Sequence, residues 1–254
     1  MKRTLNLFFI FLILISPAFG QVNKSEMMRG AKLSEPKAST PTVVIGANEL
    51  AKNMAEPGWP IIVSAAMLSE DGSTVSVPNN LQIKMINEKS GQGVQVNFEA
   101  VSAEGKEETR FWIASESETN NLTPGNYIVT VQPIERIVIQ PADLVVTERN
   151  PDNAAALNDL KIQKFLLLGK DDDALAEADR QVNADAENVN AWVAKGDILM
   201  GKDLPDEALK AYEKALEIAE KTDDEPLFIQ ERHRAAFFRS LEKRGIIKTE
   251  DNQP

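Results

Sequence analysis

The stretches Gly169 to Asn188 (GKDDDALAEADRQVNADAEN) and Gly201 to Glu220 (GKDLPDEALKAYEKALEIAE) decide the fold of this chain. Their Ala-Leu pairs, Ala174-Leu175 and Ala208-Leu209, stand 34 residues apart, which is the period of a helix-turn-helix solenoid unit. A unit of that kind cannot bury its apolar face alone. It stacks on a neighbour, and the stack leaves a surface suited to binding rather than to chemistry.

Within the second copy, Ala191-Trp192, Gly196 and Leu199 lie on a first helix, and Ala208, Tyr212 and Ala215 on a second. Gly196 and Ala208 permit close helix approach, while Trp192, Leu199 and Tyr212 fill the space between. This arrangement resembles the tetratricopeptide repeat (TPR), although Glu220 stands near the place of the family's usual proline. The preceding copy, from about Ala155 to Asn188, is degenerate. Phe165 and Ala174 hold equivalent places, but Asn158, Ile162, Ala178 and Gln181 depart from the pattern, as terminal repeats do. Such a unit suits docking on a neighbouring domain.

Pro226 to Arg244 reads as a further helix. It is introduced by the acidic cap Asp223-Asp224-Glu225, stopped by Gly245, and striped by Leu227, Phe228, Ala235, Phe238 and Leu241. That stripe is expected to cover the open face of the second repeat. The resemblance implies a concave groove lined by first-helix residues: Asp159, Gln163 and Leu166 from the weaker repeat, and Asn190, Val193, Asp197 and Met200 from the better one. The alternative is that so short an array has little groove, and that these side chains are solvated or meet the other domain.

Upstream of Asn150-Pro151-Asp152 the pattern changes to that of strands. Pro41–Gly46, Pro60–Leu68, Leu81–Ile86, Val94–Phe98, Thr109–Ala114, Tyr127–Val131, Ile137–Ile139 and Leu144–Thr147 carry β-type sequence, with turns at Glu70-Asp71-Gly72, Ser90-Gly91 and Glu104-Gly105. Asn48 to Ala55 reads as one or two helical turns. Short strands with turns between them predict an antiparallel sandwich. The segment Leu122-Thr123-Pro124-Gly125-Asn126-Tyr127-Ile128-Val129-Thr130-Val131 resembles one found in immunoglobulin-like and carboxypeptidase-regulatory-like sandwiches. The resemblance implies a tyrosine with its ring in the core and its hydroxyl on backbone at a sheet corner.

At the start, Lys2 and Arg3, the apolar run Leu5 to Ile15 and Ala18-Phe19-Gly20 read as an export signal over residues 1–20. The run is short of the ~20 apolar residues a bilayer span needs; the alternative is an uncleaved anchor. Residues 21–40 read as a flexible leader, 41–150 as the sandwich, 151–245 as two repeats with a capping helix, and 246–254 as a disordered tail.

The chain has no cysteine, which removes disulfides, thiol nucleophiles and Cys-ligated metals. Its formal charge of −11, or −13 without residues 1–20, disfavours nucleic acid and anionic lipid. The one histidine, His233, sits in a charged helical turn with no nucleophile motif beside it, and reads as solvated. Asp171-Asp172-Asp173 reads as a helix start rather than a calcium loop. Trp59 and Trp112 are core residues or, in the alternative, a platform for a sugar ring.

These readings give a multidomain β + α chain: an antiparallel β-sandwich followed by a short TPR-like helical array. They imply a non-enzymatic, exported adaptor, periplasmic or associated with the cell surface. Its partner is a basic or neutral protein or peptide, with no nucleic acid, no membrane span in the mature chain, no cofactor and no metal. A carbohydrate- or wall-binding module acting through the sandwich is the alternative function.

Overall fold

In the computed structural model, residues 41–69, 72–101, 108–132, 135–222 and 227–247 are described. The export signal, the leader, the turns at Glu70-Asp71 and Glu104-Gly105, the cap at residues 223–225 and the tail from residue 248 lie outside them. The chain divides into two compact units, one ending at Leu160 and the other beginning at Lys161.

Among the described residues, the first unit contains eleven strands in two sheets. One sheet joins β10 (Val138–Gln140), β1 (Thr42–Ala47), β3 (Ile61–Leu68), β8 (Thr109–Ala114) and β7 (Glu99–Val101) in that order, with β4 (Thr74–Val75) added to β3. The other joins β2 (Met54–Ala55), β11 (Ala142–Val146), β9 (Gly125–Val131), β5 (Ile83–Asn87) and β6 (Gly93–Val94). A four-residue helix, α1 (Glu116–Thr119), precedes β9. Val43, Ile45, Ile61, Val63 and Trp112 from the first sheet share one core with Met85, Tyr127, Val129, Val131 and Leu144 from the second. Alternation along β9 puts Tyr127, Val129 and Val131 inward, as a period of two requires.

The expected antiparallel arrangement needs correction, because both sheets are mixed. β1 runs parallel to β10, with Thr42 opposite Val138, and β2 runs parallel to β11, with Val145 opposite Met54. Alternating side chains report which face is buried but are the same for either strand direction. The second correction falls on Asn48 to Ala55, where a single 3-10 turn (Glu49–Ala51) leads into β2. Asn48 controls this passage from one sheet to the other. Its backbone is left-handed at φ 45°, a conformation asparagine tolerates better than most residues. Its buried amide donates to the carbonyls of Met54 (3.0 Å) and Pro60 (3.3 Å), and its Oδ1 accepts from Ile62 N (2.8 Å).

Tyr127 is buried, and its hydroxyl donates to the Thr123 carbonyl at 2.6 Å. Glu56, also buried, accepts from Asn150 N (3.2 Å) and Asn153 Nδ2 (2.7 Å), which fixes the 3-10 turn Pro151–Asn153 ahead of the first long helix.

Five helices follow: α2 (Ala154–Leu167), α3 (Asp171–Ala184), α4 (Val189–Gly201), α5 (Pro205–Thr222) and α6 (Leu227–Lys243). Gly169, at φ +67°, ends α2 in the left-handed geometry that favours glycine, and Lys170 N returns to Phe165 O at 2.8 Å. Asp171, Asp172 and Asp173 form the first turn of α3, where negative charge meets the positive end of the helix dipole. Asn188 caps α4 by accepting from Ala191 N at 3.1 Å. Among the described residues no helix is long and apolar enough to cross a membrane.

Candidate functional site

The helices pack through small residues. Ala174 and Ala178 of α3 meet Ile162 of α2 and Ile198 of α4, with Phe165 and Leu166 beside them. Ala208, Ala211, Tyr212, Ala215 and Ala219 of α5 form a core with Val193 and Leu199 of α4 and with Ile229 and Ala236 of α6. Gly196 lies under the Tyr212 ring, where a Cβ would stand 2.7 Å from Tyr212 Cδ1. A substitution there forces the two helices apart.

The expected groove residues have different fates. Asn190 is exposed, whereas Val193 is buried in the α4–α5–α6 core with Met200 packed at its edge. Leu166 packs beside Ile162. Gln163 is half-buried, and its Oε1 has no hydrogen-bond partner among the described residues. Asp159 is half-buried, and loss of solvent pushes its carboxyl up to about 6.

Asp197 is the centre of a polar cluster. Its Oδ1 accepts from the Tyr212 hydroxyl at 2.7 Å and from Arg232 Nε at 2.9 Å, and the Asp197 and Arg232 side chains are only 14% and 9% exposed. Burial raises the Asp197 carboxyl, while the Arg232 charge and the hydrogen bonds from Tyr212 and Arg232 pull it back. Burial and the neighbouring Asp197 carboxylate push the Tyr212 phenol upward. The cluster ties α4, α5 and α6 together, so Asp197 is already engaged within the fold. Arg232 was missed in the sequence; its signal is a cation in line with Ile229 and Ala236 on one helix face.

α6 is clasped by further polar contacts. Arg239 meets Asp203 at 3.2 Å, and Lys243 reaches both the Asp203 carboxylate and its carbonyl. Asp206 accepts from Ser240 Oγ at 2.5 Å and from Arg244 at 2.6 Å. His233 faces Glu213 at 3.7 Å, so it has an acidic neighbour rather than a purely solvated setting. The buried face of α6 consists of Ile229, Arg232, Ala236 and Ser240. The expected stripe is therefore misassigned: Phe228 is 42% exposed, and Phe238 is 47% exposed. The ion pair to Asp197 allows Arg232, and the hydrogen bond to Asp206 allows Ser240, to lie inward, so hydrophobicity alone does not select the packed face.

In the first unit, Trp59 and Trp112 are each only 4% exposed, so neither indole offers a face to a sugar. A recess there is lined by Ser76, Val77, Pro78, Asn79 and Arg110, whose Nε is held by the Val77 carbonyl at 3.1 Å. Among the described residues no group of three His, Asp or Glu side chains is placed to hold a metal ion. The chain matches no protein-family profile and no curated protein.

Proposed function

We propose that this chain is an exported, non-enzymatic adaptor of the cell envelope, in which a TPR-like array binds other proteins and an immunoglobulin-like sandwich carries it. The close seat of Gly196 under Tyr212, in a sequence repeating at 34 residues, carries the reading of the helices. Support for the sandwich comes from strand order. With β1, β3, β5, β7, β8, β9 and β11 taken as strands A to G, one sheet contains A, B, E and D and the other C, F and G. The hydrogen bond from Tyr127 to Thr123 O has the geometry of the tyrosine corner, and the cysteine pair of antibody domains is absent.

A solenoid of this size offers a partner the exposed start of α4 at Asn190. The test is cross-linking in cells followed by mass spectrometry, together with capture of partners from envelope extract by the purified mature protein. The reading expects a defined protein adduct through the helical unit. Absence of any protein adduct from the full chain would overturn it.

A further inference from the structure

Arg110 stands on the inward side of β8. Alternation puts it on the strand face of Trp112 and Ala114, and its partner across the ladder is Ala65; all three belong to the core that the two sheets share. A cation on that side of a strand is costly to hold unless it is paired. Arg232, drawn inward in the helical unit, is met by Asp197. Arg110 has only the Val77 carbonyl, to which its Nε donates at 3.1 Å. Among the described residues no carboxylate pairs with it, although the chain carries 39 acidic side chains. Val77 is buried, so its carbonyl is a fixed anchor that sets the plane of the guanidinium. The terminal amino groups are left for the recess of about 440 Å³ that Arg110 lines with Ser76, Val77, Pro78 and Asn79.

We propose that this recess binds a single carboxylate, borne on the end of a peptide or on an acidic sugar, which the Arg110 guanidinium grips in a two-point fork. A planar guanidinium held by Nε presents its remaining N–H groups in the spacing of two carboxylate oxygens. Ser76 and Asn79 are exposed, and their hydroxyl and carboxamide supply further donors to a ligand oxygen. Pro78 and Val77 give the recess an apolar wall. Its size lies at the small end of the ~300–1,000 Å³ range of ligand sites, which suits one amino acid or one sugar ring. A formal charge of −11 sets the chain against polyanions, so the ligand carries one negative group rather than a row of them. The site lies wholly in the β unit and does not depend on protein binding by the helices, so either reading can fail without the other.

The test is a titration of the isotope-labelled mature protein at constant ionic strength, read by nuclear magnetic resonance at Arg110 Nε–Hε and at the backbone amides of Ser76 and Asn79. The probes are N-acetylalanine for a peptide end and methyl glucuronide for an acidic sugar, with N-acetylalaninamide and methyl glucoside as their neutral counterparts. At least one acid is expected to move these resonances saturably in the millimolar range while its neutral counterpart leaves them in place; the acid that saturates first names the source. Arg110→Lys keeps the charge and loses the fork, and should weaken binding about tenfold at the two amides. Ser76→Ala with Asn79→Ala changes only exposed side chains, leaves the Arg110 anchor intact and should weaken binding roughly threefold, which keeps the proposal testable if Arg110→Lys fails to fold. Resonances that stay still, that move alike with acids and neutral compounds, or that saturate with an affinity neither variant weakens overturn the site and leave Arg110 as a cap on the end of the core.

Discussion

The two units fill their interiors by opposite means. The β unit uses volume: Val43, Ile61, Val63, Met85, Val129, Val131 and Leu144 are all buried to within a few per cent. The helical unit uses proximity. Its core residues are largely alanines, with Gly196 seated under the Tyr212 ring between α4 and α5. Small side chains bury less apolar area per residue, so a greater share of the helical unit's cohesion falls on polar contacts in its seams. Asp197–Arg232–Tyr212, Asp203–Arg239 and Asp206–Ser240–Arg244 occupy those seams. A few side chains therefore decide whether its helices stay together.

The largest effect is expected from Tyr212→Ala. It opens a cavity at Gly196 and removes a donor from Asp197, costing about 3–5 kcal/mol in the helical transition while leaving the β transition in place. Calorimetry of the full chain reads the two separately; a shift of both would erase the contrast. Arg232→Ala leaves Asp197 buried without its cation and is expected to cost about 3 kcal/mol in urea unfolding. The double variant Asp197→Leu with Arg232→Leu should recover much of that loss, since it strands no charge.

In the β unit, Tyr127→Phe removes the phenol's bonds to Thr123 O and to the Thr123 hydroxyl and should cost about 1.5 kcal/mol by denaturant titration. A cost as large as that of Tyr212→Ala would mean that polar contacts dominate both units.

The smallest effect concerns pH. Asp159 titrates at about 6 in the folded chain, above the ordinary carboxylate, so the folded state holds the extra proton between the two values. Its contribution to stability is fully present below about pH 4 and is lost as pH rises through 6. Asp159→Asn should flatten that slope and gain about 1 kcal/mol at pH 7 after allowance for solvent screening. Unfolding curves from pH 4 to 7 decide it.

Much of this contrast is legible in the sequence. Spacing marks Gly196 and Ala208 as sites of close helix approach and Tyr212 as a filler of the space between; that Gly196 seats the Tyr212 ring itself is seen only in the fold. Strand alternation locates β9, and apolar runs bounded by turns locate β3 and β8. Direction is not encoded in alternation, so the parallel pairs of β1 and β2 are invisible until the chain is folded. The orientation of α6 is hidden for another cause. Its sequence has two apolar stripes, Ile229 with Ala236 and Phe228 with Phe238, and acidic residues on α4, α5 and the turn between them select the one that contains Arg232. Groove residues carried over from a resemblance fail to foresee that Asp197 is already spoken for.

The parallel pairing of β1 with β10 also has a kinetic consequence. Thr42 must wait for Val138 before that ladder can form. A chain emerging N-terminus first carries one edge of β1 open across nearly the whole length of its unit, and such non-local pairing slows folding. During that interval the open edge can recruit a strand from another chain. Early β3 pairing, which leaves only one edge of β1 unoccupied, is the step that shortens this exposure.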